Sequence, residues 1–233
     1  MKTPINKRLL ACSELVRDGA ILADVGTDHA YLPIYLMENG KIERAVLSDI
    51  NQGPLNKARE NSEKSGFINK VELRLCNGAE ELKDSGATDY AICGMGGELI
   101  AEIIERAPHL KNENINLILQ PMSKPEALRE YLFTNGFEII RERYVSDAGK
   151  HYVCILANFS QRNTVFSDVD LYFGTEKVFE EANGKERQAY MRVKSNSLLR
   201  TIEGKKLGGF DTQRETSILE SLTERMKDTV LKG

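Results

Sequence analysis

Residues 20–33 most restrict what this chain can fold into. An apolar run, Ala20 to Ala23, ends in Asp24-Val25-Gly26; short polar residues follow, and a helical pattern begins at Ala30. The order predicts a buried strand, a tight turn and a helix start. In open α/β sheets, ligands bind at the carboxyl ends of such strands. The turn after Val25 is therefore the first candidate site.

The alternation recurs along the chain. A helix over 5–17 precedes the first strand. Strands are predicted at 44–48, 71–75, 89–93 and 115–119. Helices are predicted at 30–39, 54–65, 79–83, 98–107 and 124–134. Two longer strands, 137–144 and 152–159, flank the turn Ser146-Asp147-Ala148-Gly149. Five strand–helix units imply an α/β fold, a seven-stranded and mostly parallel sheet covered on both faces. The terminal hairpin would add one antiparallel strand at an edge. That ending separates the sheet from a dinucleotide-binding sheet of six parallel strands.

The character changes near Asn163, so the expected units are 1–163 and 164–233. The second contains no convincing strand. Its helical candidates are Lys185 to Glu203 and Thr212 to Leu231, the latter with Leu219, Leu222, Met226 and Val230 on one side. Gly204 and Gly208-Gly209 punctuate between them. An antiparallel, coiled-coil-like helical pair follows. It reads equally as a stabilising appendage or as an arm that grips a substrate.

Composition excludes several classes. Net charge is −3, which argues against a generally basic nucleic-acid coat but leaves room for a local basic face. Cys12, Cys76, Cys93 and Cys154 show no Cys-x-x-Cys spacing, and only three histidines accompany them. No metal site is expected, and each cysteine reads as a small core hydrophobe. There is no signal-like apolar segment at residues 1–19 and no run long enough for a membrane span. A soluble, cytoplasmic protein is expected.

The polar residues at strand ends carry the chemistry. Gly26 lets the backbone turn and lets a ligand approach Asp24. Asp49, 25 residues after Asp24, ends the second strand. It reads as an acceptor for a ribose diol, with a helix-capping role as the alternative. Asn77-Gly78 could read an adenine edge, or simply turn the chain. Gly94-Met95-Gly96-Gly97 after the fourth strand brings backbone close to something, with Met95 as a soft apolar contact. No Walker Lys-Ser/Thr follows, and no Gly-x-Gly-x-x-Gly stands at the first strand. NTPase and dehydrogenase readings are therefore poor. S-adenosylmethionine, with ribose, adenine, a sulfonium and no phosphate, is the natural candidate.

Asp24-Val25-Gly26-Thr27-Asp28-His29-Ala30-Tyr31-Leu32-Pro33, Gly94-Met95-Gly96-Gly97 and Leu117-Ile118-Leu119-Gln120-Pro121 together carry a resemblance. The chain resembles the class I S-adenosylmethionine-dependent methyltransferases with their Rossmann-like sheet. Within them it is similar to the TrmK family, bacterial enzymes that methylate N1 of adenine 22 in tRNA. The resemblance spans roughly residues 7–160. It implies a cofactor pocket from Asp24, Gly26, His29, Asp49, Asn77, Gly78, Gly94, Met95 and Gly96. It implies Asp28 as the residue acting on the target adenine, and Arg8 at the site mouth with Gln120 and Pro121 on the substrate side. The implied partner is tRNA, without membrane or metal, and the expected state is a monomer.

Two departures from the wider class I pattern stand out. Asp28 replaces a second glycine, and the Asn-Pro-Pro-Tyr motif of exocyclic-amine methyltransferases is missing after strand four. Both favour a ring nitrogen over N6. Lys7, Arg8, Lys124, Arg129 and Lys150 are candidate phosphate contacts, each singly also readable as a solvated charge. A methyltransferase of another substrate, or a non-catalytic RNA-binding protein, remains the alternative.

Overall fold

The computed structural model describes residues 3–162, 164–175 and 184–231, with side chains as far as Arg225. Its seven strands are β1 (Ala20–Val25), β2 (Ile42–Asp49), β3 (Val71–Leu75), β4 (Asp89–Gly96), β5 (Asn116–Ser123), β6 (Phe137–Asp147) and β7 (Lys150–Phe159). They form one sheet in the order β3-β2-β1-β4-β5-β7-β6. Strands β1 to β5 pair in parallel, and β7 runs antiparallel to both β5 and β6. This is the seven-stranded, mostly parallel sheet expected. The antiparallel strand, however, lies inside the sheet, and β6 takes the edge. A tight hairpin can hand its second strand to either side, and here β7 fills the slot beside β5.

Helices α1 (Lys7–Leu15), α2 (Tyr31–Glu38) and α3 (Gln52–Lys64) follow the prediction within a few residues, as do α4 (Gly97–Glu105) and α5 (Pro125–Thr134). Alternating strand residues separate the two faces, because successive side chains point opposite ways. Leu22, Ala45, Leu47 and Ile118 pack with α1 and α2 on one face. Ala23, Val46, Tyr90 and Leu117 pack with α4 and α5 on the other. All eight are fully buried.

Strands β4 and β5 run further than their apolar cores suggested. Met95 pairs with Pro121 and Gly96 with Ser123 across an irregular register, so the glycine segment and Gln120-Pro121 are strand rather than loop. Gly97 then opens α4 against the next connection. A Cβ there would collide with the Lys124 carbonyl oxygen. Gly97→Ala is expected to cost about 1–3 kcal/mol, read as a lowered melting temperature, because main chain must move to admit the methyl.

The tail contributes α6 (Asp168–Phe173), α7 (Gly184–Leu207) and α8 (Gln213–Leu231). Helix α6 was not anticipated, although Ser167-x-x-Asp170 is a capping signature: Asp170 accepts from both the Ser167 amide and its hydroxyl. Gly204 lies inside α7 rather than ending it. Helices α7 and α8 match the expected pair; the side chains of Met226 and Val230 lie outside the described residues. Phe173, Tyr190, Met191, Leu198, Ile218 and Leu222 belong to the same apolar cluster as Leu128, Phe137 and Tyr144 of α5 and β6.

Beneath that seam lies a buried ion pair. The Arg129 Nε donates to Glu142 at 2.7 Å and its Nη1 to the Leu171 carbonyl at 2.8 Å, with both side chains of the pair wholly buried. The Tyr144 hydroxyl donates to the other Glu142 oxygen. Arg129 is therefore a core residue and cannot serve as the phosphate contact its surface reading suggested. Lys124, by contrast, stays exposed at the surface, where it bonds Glu98 at 2.6 Å.

Candidate active site

The turn after β1 is built by main chain. The amides of Gly26 and Thr27 both donate to the Ser48 carbonyl at the end of β2, each at 2.8 Å. Gly26 holds a left-handed φ of 75°, and a Cβ there would run into the Met95 methyl. The left-handed turn is what calls for glycine, since the flexible end of Met95 could swing aside. The pairing Val25↔Ser48 sets the carboxyl ends of β1 and β2 level, which brings Asp24 and Asp49 to one opening.

That opening is a cavity of about 440 Å³. Asp24, Gly26, Asp28, His29 and Asp49 line it from β1, β2 and the turn, and Gly94 and Met95 line it from β4. Arg8 closes the α1 side and Met122 the β5 side. Sequence-based reasoning missed Thr27, Tyr31, Cys93 and Met122 as lining residues. Thr27 and Tyr31 stand inside the quoted motif and could have been read from it. Cys93 directly precedes Gly94 and was equally readable, whereas Met122 reaches the site only because β5 lies beside β4.

Five expected residues, Gln120 among them, are not part of this cavity's lining. Asn77, Gly78, Gly96 and Pro121 do not line the cavity; Gly78 faces Ile103 and Arg106, and Gly96 faces Ser123. Gln120 is fully buried. Its Oε1 accepts from Arg8 Nη1 at 3.0 Å, and its Nε2 donates to the Pro121 carbonyl. Arg8 also donates to Asp147 at 3.1 Å and stacks over the Tyr152 ring at 5.2 Å. Gln120 and Asp147 thus aim Arg8 at the cavity.

The three aspartates differ in surroundings. Asp24 is buried, and burial raises its pKa from 3.8 to about 6, with nearby Asp49 adding to the rise and Thr27 opposing it. Asp49 accepts a 2.7 Å bond from the Asn51 amide, a local turn that still leaves a carboxylate oxygen over. Asp28 is open, its side chain 79% exposed, with His29 Nε2 at 3.3 Å. It does not cap α2: Ala30 occupies that position in a left-handed conformation, without a side-chain cap. The His29 ring stacks on Tyr31, centroids 5.0 Å apart.

Three of the four cysteines, far apart in sequence, gather behind this wall. Cys12 Sγ lies 3.5 Å from Cys154 and 3.7 Å from Cys93, and all are free thiols. Contact with Cys154 and burial push the Cys12 thiol well up, and contact with Cys12 and burial do the same for Cys93. Cys12 and Cys93 behave as neutral packing groups. Among the described residues, no three His, Cys, Asp or Glu side chains group as metal ligands, and no helix is long and apolar enough to cross a membrane.

The cavity fits a small organic cation bearing a diol. Two carboxylates, Asp24 and Asp49, face the space, and Gly26 and Gly94 present bare main chain. A larger cavity of about 610 Å³, between the start of β6 and the tail, sets Glu138 and Asp170 beside Arg162 and Arg225 and lies away from the β1 turn.

Comparison with known proteins agrees with this geometry. A family profile described as a methyltransferase domain matches residues 5–155. The tRNA (adenine(22)-N(1))-methyltransferase of Bacillus subtilis is 31% identical over 226 residues, covering 96% of this chain and 94% of that protein. The chain belongs to the TrmK family. Among solved TrmK-like structures, Streptococcus pneumoniae Sp1610 in complex with S-adenosyl-L-methionine is 32% identical, with a TM-score of 0.80 over 95% of this chain and 99% of that one. The B. subtilis TrmK crystal structure is 29% identical, with a TM-score of 0.74 over 97% of each chain. The TrmK resemblance therefore runs through the tail helices as well as the sheet.

Proposed function

We propose that this chain transfers a methyl group from S-adenosylmethionine to N1 of adenine 22 in tRNA, as a cytoplasmic enzyme. The observation that carries the reading is one cavity where Asp24, Asp49 and the open Asp28 converge on the β1 turn, in a chain with the sequence and fold of the TrmK family. S-adenosylmethionine supplies the electrophilic methyl. In this reading Asp24 holds its cationic end, Asp49 accepts from the ribose hydroxyls, and the Thr27 hydroxyl and the Gly26 and Gly94 main chain complete the cradle. Asn77, Gly78 and Gly96 belong to the expected pocket but stand outside the cavity wall, so we assign them at most the shaping of adjoining main chain.

The target base leaves its stack to reach the site, at a cost of a few kcal/mol. Its ring N1 already carries a lone pair, so no base is needed to create the nucleophile. Methylation makes the ring cationic. Asp28, exposed at the mouth, accepts a hydrogen bond from N6 and offsets that positive charge. Arg8, held by Gln120 and Asp147, orients the incoming nucleotide from the opposite wall. Most of the acceleration comes from alignment.

Incubation with radiolabelled cofactor and total tRNA, followed by nucleoside analysis, is expected to yield 1-methyladenosine; labelled 6-methyladenosine or unlabelled tRNA would refute the reading. Asp28→Ala should lower kcat on tRNA by roughly 100-fold or more while cofactor affinity holds. Asp49→Ala should instead raise the cofactor Kd by roughly 10- to 100-fold, measured by calorimetry.

A further inference from the structure

Beside the cofactor cavity lies a second of about 440 Å³, between α2, α3 and the segment leading into α1. Tyr31 lines both. The two spaces are therefore neighbours across one aromatic side chain, which is itself steadied by its stack on His29. The remaining walls are flat or apolar: Phe67, Ile34 and Pro4. Asn61 and Lys64 stand at the polar side. Asn61 Nδ2 donates to the His29 carbonyl at 3.0 Å, which ties this cavity's wall to the reaction turn. Glu38, the one acidic group lining it, is taken up by the amide and hydroxyl of Thr3. Lys70 lies over the Phe67 ring at 5.8 Å and adds a second cation nearby.

We infer that this second cavity is a subsite for the nucleobase next to the methylated adenine, stacked on Tyr31 and Phe67 with its phosphate toward Lys64. The inference rests on the tRNA reading above. An enzyme that extrudes one base must also hold the flanking nucleotides, and contacts to those neighbours set its context preference. Aromatic faces take any base by stacking, and lysines at the rim meet the backbone charge. No residue of the reaction turn other than Tyr31 is shared, so the subsite can be altered without touching Asp24, Asp28 or Asp49.

The test pairs protein and RNA changes. Ser65, which lines the second cavity only, is replaced by Trp to fill it; Lys64→Glu at the rim is the milder companion. Transcripts carry an abasic nucleotide on the 5′ or the 3′ side of the target adenine. With the unaltered enzyme, one of the two abasic transcripts should raise KM roughly tenfold, as loss of a stacked base does. Ser65→Trp and Lys64→Glu should raise KM for intact transcript comparably, with melting temperature and cofactor Kd unchanged. The abasic change should add nothing further in Ser65→Trp. If KM stays the same in both folded variants, or the protein and RNA effects multiply, the subsite is overturned while the function stands. If the unaltered enzyme leaves intact transcript unmethylated, the functional reading falls and the subsite with it.

Discussion

Asp24→Asn is expected to make the cofactor-free protein more stable at pH 8 and nearly unable to bind its cofactor. Burial raises the Asp24 pKa from 3.8 to about 6, so folding favours the neutral acid and disfavours the carboxylate. The sign follows from that direction. Below pH 4 the group is protonated folded or unfolded and costs nothing. Between pH 4 and 6 the unfolded chain ionises first, and stability falls. Above pH 6 the full penalty is present, on the order of 3 kcal/mol for a rise of this size. Asparagine removes it, and the gain should amount to about 5–10 °C in melting temperature at pH 8, vanishing near pH 4. Cofactor affinity in the unaltered protein should rise with pH through about 6, because a cation binds the ionised form. A variant with unchanged melting temperature at both pH values would remove the assignment of a strained carboxylate.

Breaking the Arg129–Glu142 pair is the second large effect. Glu142→Gln leaves the buried guanidinium without its counter-charge and is expected to cost about 3–5 kcal/mol. The melting temperature should fall by roughly 10 °C for a chain of this length. Arg129→Met with Glu142→Leu together should recover much of that loss, since the desolvation cost of both charges disappears. Equal losses in the single and double variants would show that shape, not charge, governs the seam. This pair sits between sheet and tail, so protease sensitivity of α7 and α8 should rise in the single variant and fall back in the double.

Much of this was legible in the sequence because the signals were local. The apolar runs, their Gly and Asp terminators and the two helical stretches of the tail predict the strand count, the parallel sheet and the turn that carries Asp24 and Asp28. What escaped depended on neighbours distant in sequence. Three glycines in four residues read as loop, but Met95 and Gly96 are held in strand by Pro121 and Ser123. Arg129 reads as a surface charge on an amphipathic helix until Glu142, thirteen positions on, meets it in the core. Cys12, Cys93 and Cys154 share no spacing, yet three elements bring their sulfurs together. Gln120 reads as a ligand contact, and its carboxamide is spent on Arg8. Ser167-x-x-Asp170, by contrast, was a local signal and went unread.

The joint between the tail and the hairpin has a mechanical consequence. Ser146, near the tip of β6, donates to Glu186 in the first turn of α7 at 2.7 Å and sits 2.8 Å from His151 across the turn. The next residue, Asp147, holds Arg8 at the cavity wall. Two hydrogen bonds one residue apart therefore join the first turn of α7 to the guanidinium at the cavity wall. The helical arm and the wall of the site share a single strand end, so a substitution at Ser146 is felt on both sides of the sheet's edge.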